Sequence, residues 1–213
     1  MHSFSLLRPT YNSAHGFSLL ELMVTLAIAA ILMSLAAPAL QDVIIKGRMS
    51  SIGNQFTGNV LRARNESVSR NTCTVMCLST NTGDAITTDA ATPPNVTAGP
   101  QCANSGSDWQ VGWIVFLKED CIKGTQIINS RPPRPEDYLV IRPSIGSDYN
   151  LQAQTNGFNK IFFDSSGRPG LQGANEFDMS YMTTNSAVTQ KYGFNICLDS
   201  VGRTRTISWS STC

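Results

Sequence analysis

Arg203 and Arg205 stand two residues apart in the stretch Gly202-Arg203-Thr204-Arg205. In an extended strand, side chains two apart point to the same side, roughly 7 Å from each other. Two guanidinium forks at that spacing can clamp neighbouring backbone phosphates. Such contacts supply affinity without sequence information and weaken as salt rises. Lys191, Arg168, Lys123, Arg131 and Arg134 are further cations that could join them, and Trp209 could stack on a base. The plainer reading is a turn glycine followed by an edge strand with two exposed arginines, and a tryptophan in the core.

Glu21 is the second candidate. It opens an otherwise uncharged run, and from Leu22 to Gln41 there is no charge at all. Twenty helical residues span about 30 Å, the thickness of a bilayer core. A carboxylate there costs a few kcal/mol unless it is paired. Arg8, the one basic residue among the first sixteen, places the N-terminus on the cytoplasmic side. A secretory signal cut near Ser34-Leu35-Ala36-Ala37-Pro38-Ala39 explains the small residues but leaves Glu21 unexplained. A plain anchor makes Glu21 merely interfacial.

Six cysteines, Cys73, Cys77, Cys102, Cys121, Cys197 and Cys213, all follow the apolar run. An even number in a loop-rich region suggests disulfides and an oxidising compartment; buried free thiols are the alternative. Six cysteines allow 15 pairings. Cys73 and Cys77 should not pair with each other in an extended strand, because four residues span roughly 13 Å and bridged Cα atoms lie within about 7 Å. No spacing suits zinc. The net charge of +1 excludes a broadly basic nucleic-acid binder, and no pattern marks a phosphate loop, a metal or another cofactor.

These groups need elements to hold them. Ile45, Met49, Ile52, Phe56, Val60 and Val68 recur at helical spacing and predict a helix whose apolar stripe packs on a sheet. Lys46, Arg48, Arg62, Arg64 and Arg70 face only Glu66 across the same segment, as a solvated face or part of an anion-binding surface. Strands are expected in CTVMCLS, WQVGWIVFLKE, GTQIIN, YLVIRP, KIFFDSSGRPG, EFDMSYM, YGFNICL and RTRTISW. Thr80 to Asp108 is too long and polar for an ordinary connection and reads as a surface excursion, stapled through Cys102. No internal repeat is evident. The expected class is α+β: a long N-terminal helix, membrane-spanning in its first half, packed on a C-terminal antiparallel β-sheet. The expected boundaries are 1–16, 17–41, 42–71 and a β-rich domain over 72–213.

The segment GFSLLELMVTLAIAAILMSLAAPAL resembles the class III signal of type IV pilins and type II secretion pseudopilins. That resemblance implies cleavage by prepilin peptidase after Gly16 and N-methylation of Phe17. It makes Glu21 the assembly acid, offsetting a terminal ammonium of its own or a neighbouring subunit, and puts Pro38 where pilins commonly carry a helix-kinking proline. Cleavage would remove both histidines, His2 and His15, together with Arg8, leaving fifteen basic and fifteen acidic residues. A chain without histidine has no Ser-His-Asp, Cys-His or His-metal site, and no enzyme is expected.

LRARNESVSRN, WQVGWIVF, FDSSGRPG and ICLDSVGRTR resemble the GspH/FimT/FimU group of minor pilins. The implied role is a minor pilin of a type IV pilus that primes assembly or sits at the tip. The implied place is the inner membrane with the globular domain in the periplasm, then the extracellular pilus. The alternative machine is type II secretion, with a GspH-like pseudopilin. Implied partners are other major and minor pilins, prepilin peptidase and the inner-membrane assembly platform. The Gly-Arg-x-Arg tail resembles that of FimT-type pilins that bind DNA in natural transformation, which implies double-stranded DNA as a partner of Gly202, Arg203, Arg205 and Lys191.

Overall fold

The computed structural model describes residues 16–118, 132, 134–170 and 175–213. Helix α1 runs from Leu19 to Ser69. At its start the Ser18 hydroxyl accepts the Glu21 N–H at 3.1 Å, satisfying one of the free donors of the first turn. The helix passes position 38 unbroken, although proline brings no N–H to the ladder. It ends where Asn71 turns left-handed, with φ 50°. There the Thr72 N–H bonds the Ser67 carbonyl at 3.1 Å, which caps the last turn.

The described chain forms two units, one up to Val43 and one from Ile44 to Cys213. In the first, the large apolar side chains from Phe17 to Val43 are exposed. Met33, Ala36, Ala37, Ala39, Leu40 and Val43 line an apolar groove there.

In the second unit α1 buries Met49, Ile52, Phe56, Val60, Ala63 and Ser67. The predicted stripe is right through Val60. Its last member is corrected: Val68 is 52% exposed. Eight residues beyond Val60 a helix has turned roughly 80° off the stripe, whereas seven residues keep within roughly 20° of it. Ser67 therefore takes the buried place and bonds the Arg64 carbonyl at 2.7 Å.

Ten strands follow. β1 is Cys73–Leu78, β2 Thr87–Thr88, β3 Val96–Ala98, β4 Gly112–Lys118 and β5 Tyr138–Pro143. β6 is Tyr149–Ala153, β7 Lys160–Phe163, β8 Asn175–Tyr181, β9 Phe194–Leu198 and β10 Thr204–Ser208, with the short helix α2, Ser186–Tyr192, before β9. They make two four-stranded sheets where the sequence suggested one, ordered β5-β4-β1-β7 and β10-β9-β8-β6, plus the β2-β3 ribbon. Every pairing is antiparallel. The expected strand GTQIIN lies outside the described residues.

β1 is buried along its whole length because both of its faces are covered. Met76 and Leu78 enter the main core with α1. Val75 and Cys77 turn the other way and pack with Cys102, Ile114 and Phe116. The long excursion closes that outer face through the Cys77–Cys102 disulfide.

Phe56 joins the helix to both sheets. Its ring meets Trp109 and Trp113 at 5.5 Å and Phe177 at 4.8 Å, all edge-on. Such contacts add to the large apolar area each ring removes from water. Trp109 also donates its indole N–H to the Phe158 carbonyl at 2.9 Å.

Candidate functional site

The stretches Asp164-Ser165-Ser166-Gly167-Arg168 and Asp199-Ser200-Val201-Gly202-Arg203 build the same turn twice. In the first, Asp164 Oδ1 accepts the N–H groups of Ser166 and Arg168 at 2.8 and 3.0 Å. In the second, Asp199 Oδ1 accepts those of Val201 and Arg203 at 3.0 and 2.7 Å. Both glycines are left-handed, with φ 72° and 80°, a backbone state that costs other residues dearly. Both arginines fold back on their own aspartate. Arg168 Nε lies 3.5 Å from Asp164 Oδ2, and Arg203 Nε 3.0 Å from Asp199 Oδ2.

One turn follows β7 and the other joins β9 to β10, so each sheet supplies one. Arg64 of α1 ties them together. Its Nε donates to the Gly167 carbonyl at 3.0 Å and its Nη1 to the Gly202 carbonyl at 3.5 Å. Gly202 is buried, and a Cβ there would lie 2.9 Å from Phe163 and 3.3 Å from Pro169. The glycine of Gly-Arg-x-Arg thus sits at the seam of the two sheets.

Burial pushes the Asp199 carboxyl up, but the hydrogen bonds from the Arg203 N–H, the Arg203 guanidinium and the Val201 N–H, with the Arg203 charge, outweigh it. The carboxyl is held below its ordinary value and stays ionised beside Arg203.

Arg205 is exposed but differently held. It lies in one row with Cys197 and Glu176 across β10, β9 and β8. Cys213 is linked to all three. It is bridged to Cys197, its N–H donates to Glu176 Oε2 at 3.3 Å, and its main-chain oxygen accepts from Arg205 Nη2 at 3.1 Å. Arg203 and Arg205 are therefore both on the surface but engage separate partners.

Lys191 is not gathered with them. It belongs to α2, with Nζ 5.1 Å from the Tyr192 ring centroid. α2 leads into the Phe194 end of β9, which pairs with Ser208, while the Gly202 turn closes the far end, where Leu198 pairs with Thr204. Trp209 packs against Gly193 at that same remote end. Lys123 and Arg131 lie outside the described residues. Arg168 is the supplementary cation that the structure does bring to the turn. Arg64 was legible only as one of a run of helix cations; the repeated Asp-Ser-x-Gly-Arg was the available signal for the paired turns.

At the other end, Gly16 and Phe17 precede the helix and are exposed, and Glu21 is exposed in its first turn. Nothing is described of the Pro38 side chain. Cys73 is disulfide-bonded as well, and Cys121 lies outside the described residues. Cys73 and Cys77 are not joined to each other, as their strand requires. Among the described residues no group of three His, Cys, Asp or Glu could hold a metal ion.

Residues 11–37 match the prokaryotic N-terminal methylation motif. Residues 53–211 match the family described as type II transport protein GspH. No curated protein matches the chain. Among solved structures, the type IV minor pilin FimU of Pseudomonas aeruginosa is similar in two crystal forms. One is 11% identical, covers 78% of this chain and 92% of that one, and has a TM-score of 0.48. The other is 12% identical, covers 76% and 94%, and has a TM-score of 0.42. The GspH match takes in both arginine turns, the two sheets and the last third of α1, and the methylation motif takes in Gly16, Phe17 and Glu21: the chain belongs to the GspH family of type II transport proteins.

Proposed function

We propose that the chain is a minor subunit of a type IV pilus that primes assembly or sits at the tip. The observation that carries this reading is the division of α1. Its stripe from Met49 to Val60 is core, while the apolar side chains before Ile45 are exposed and call for lipid or other helices around them. In this reading prepilin peptidase cuts after Gly16 and Phe17 becomes the methylated N-terminus. Before assembly the helix spans the inner membrane and the β-rich unit lies in the periplasm. Glu21, four residues on and one helical turn away, offsets the ammonium of a neighbouring subunit where the low dielectric makes that attraction strong. Pro38 lies within the same helix, and the partners are the other major and minor pilins and the inner-membrane assembly platform. Glu21→Ala is expected to leave the processed size unchanged while depleting the subunit from sheared pili, as read by immunoblot. Undiminished incorporation overturns the role.

The description of the matching family favours a second machine, a pseudopilus of type II secretion. Deletion of the gene separates the two: loss of surface pili supports the first, and loss of exoprotein secretion with pili intact supports the second.

The exposed tail arginines support a further reading, capture of double-stranded DNA without sequence preference through Gly202, Arg203 and Arg205. Lys191 is a further cation for this role, but its place at the far end of the β9-β10 hairpin makes it a separate contact. Full-length protein in nonionic detergent, titrated with duplex DNA, is expected to bind weakly and less as salt rises. Binding is expected to vanish in the folded Arg203→Ala/Arg205→Ala variant. No binding by the wild type at low salt removes the reading.

A further inference from the structure

Arg168 and Arg203 occupy equivalent places in equivalent turns. The glycine carbonyl before each is bonded to the same Arg64 guanidinium. Pro169, the neighbour of Arg168, approaches Gly202, the neighbour of Arg203. The two turns thus meet at Arg64, although 35 residues separate their arginines. Their side chains are 67% and 76% exposed. Each aspartate engages Nε, which leaves the two Nη groups of each fork for an incoming anion. The aspartates also hold each fork in place, so that less rotamer freedom is lost on binding.

We propose that Arg168 and Arg203 form one two-armed phosphate site, with Arg64 as the positioning residue that holds the arms in register. This rests on the DNA reading above and changes its geometry. The second arm comes from the other sheet, and Arg205 acts beside the site along β10. The ligand is the backbone of duplex DNA, because two guanidinium forks on neighbouring turns suit phosphates and read no base edge. Because each arm carries its own carboxylate, long-range attraction is small and contact is made at short range.

The test is the salt dependence of binding, measured by fluorescence anisotropy with a labelled duplex longer than one helical turn and the full chain in nonionic detergent. Each phosphate contact contributes about 0.9 to the slope of log K against log salt. Arg168→Gln is expected to lower the slope by about 0.9, as does Arg203→Gln, and the pair together by about 1.8. Arg168→Lys restores the slope, since it keeps the charge. Arg64→Lys keeps the helix charge but loses the two-carbonyl fork, and is expected to drop the slope towards that of a one-armed protein.

A normal slope in Arg168→Gln with a reduced one in Arg203→Gln overturns the two-armed site and leaves DNA capture standing. An unchanged slope in Arg64→Lys overturns its positioning role. Absence of binding by the wild type overturns both the site and the reading beneath it. Thermal melts of each variant establish that it is folded; a loss of slope in a folded protein is the supporting result.

Discussion

An alanine at position 202 would have to hold a φ of 80° with its Cβ 2.9 Å from the Phe163 ring. The left-handed backbone costs about 1–2 kcal/mol, and overpacking adds about 1–3 kcal/mol. Gly202→Ala is therefore expected to lower the urea midpoint clearly. Arg203→Ala, which removes an exposed ion pair, is expected to cost about 0–1 kcal/mol. A large loss in Arg203→Ala would mean that the arginine serves the fold as the glycine does. Within Gly-Arg-x-Arg the glycine holds the sheets together and the arginines face solvent. That split was hidden in the sequence, because the contacts that decide it come from Phe163 and Pro169, more than thirty positions away. Arg64 was hidden for a similar reason, since its bonds reach 103 and 138 residues along the chain. The cysteines were more legible: extended geometry alone kept Cys73 and Cys77 apart.

The turn Asp199–Arg203 carries its own pH dependence. Burial raises the Asp199 carboxyl, but the hydrogen bonds and charge from Arg203 and the Val201 N–H hold it below its unfolded value. A depressed carboxyl contributes stability above the unfolded value, about 3.9, and loses it as pH falls through the folded one. The melting temperature of the wild type is expected to exceed that of Asp199→Asn near neutral pH, and the gap to close below about pH 4. A gap that stays constant with pH would assign the loss to hydrogen-bond geometry instead. Elements with a strong pattern were readable: α1 through Val60, and β1, β4, β5, β7, β8, β9 and β10. β6 escaped because it is short and only Leu151 and Ala153 are buried, although all five of its residues pair with β8. α2 escaped because seven residues give too short a period; Asn185, whose side chain accepts the Ala187 N–H at 3.0 Å, caps its start. Without β6 the strands could not be divided into two sheets.

Taken whole, the chain combines a unit with exposed apolar side chains and a unit with its own core. A fragment beginning at Ile44 is expected to remain in aqueous solution without detergent, melting as the full chain does in micelles. Aggregation of that fragment would mean that the residues before Ile44 shield part of the core. Strand order has a further consequence for the timing of export. On a route in which the anchor enters the membrane first, β1 crosses well before β4. At synthesis rates of about 5–20 residues per second, the stretch 79–111 takes roughly 2–7 s to follow. Throughout that interval a strand with two apolar faces has no neighbour to pair with. Cys102 arrives before Gly112, so oxidation to Cys77 can fold the excursion over one face of β1 before β4 is there to pair with it. The disulfide is then expected to shield one face of β1 until β4 and β7 are delivered, as a shelter supplied by the chain itself.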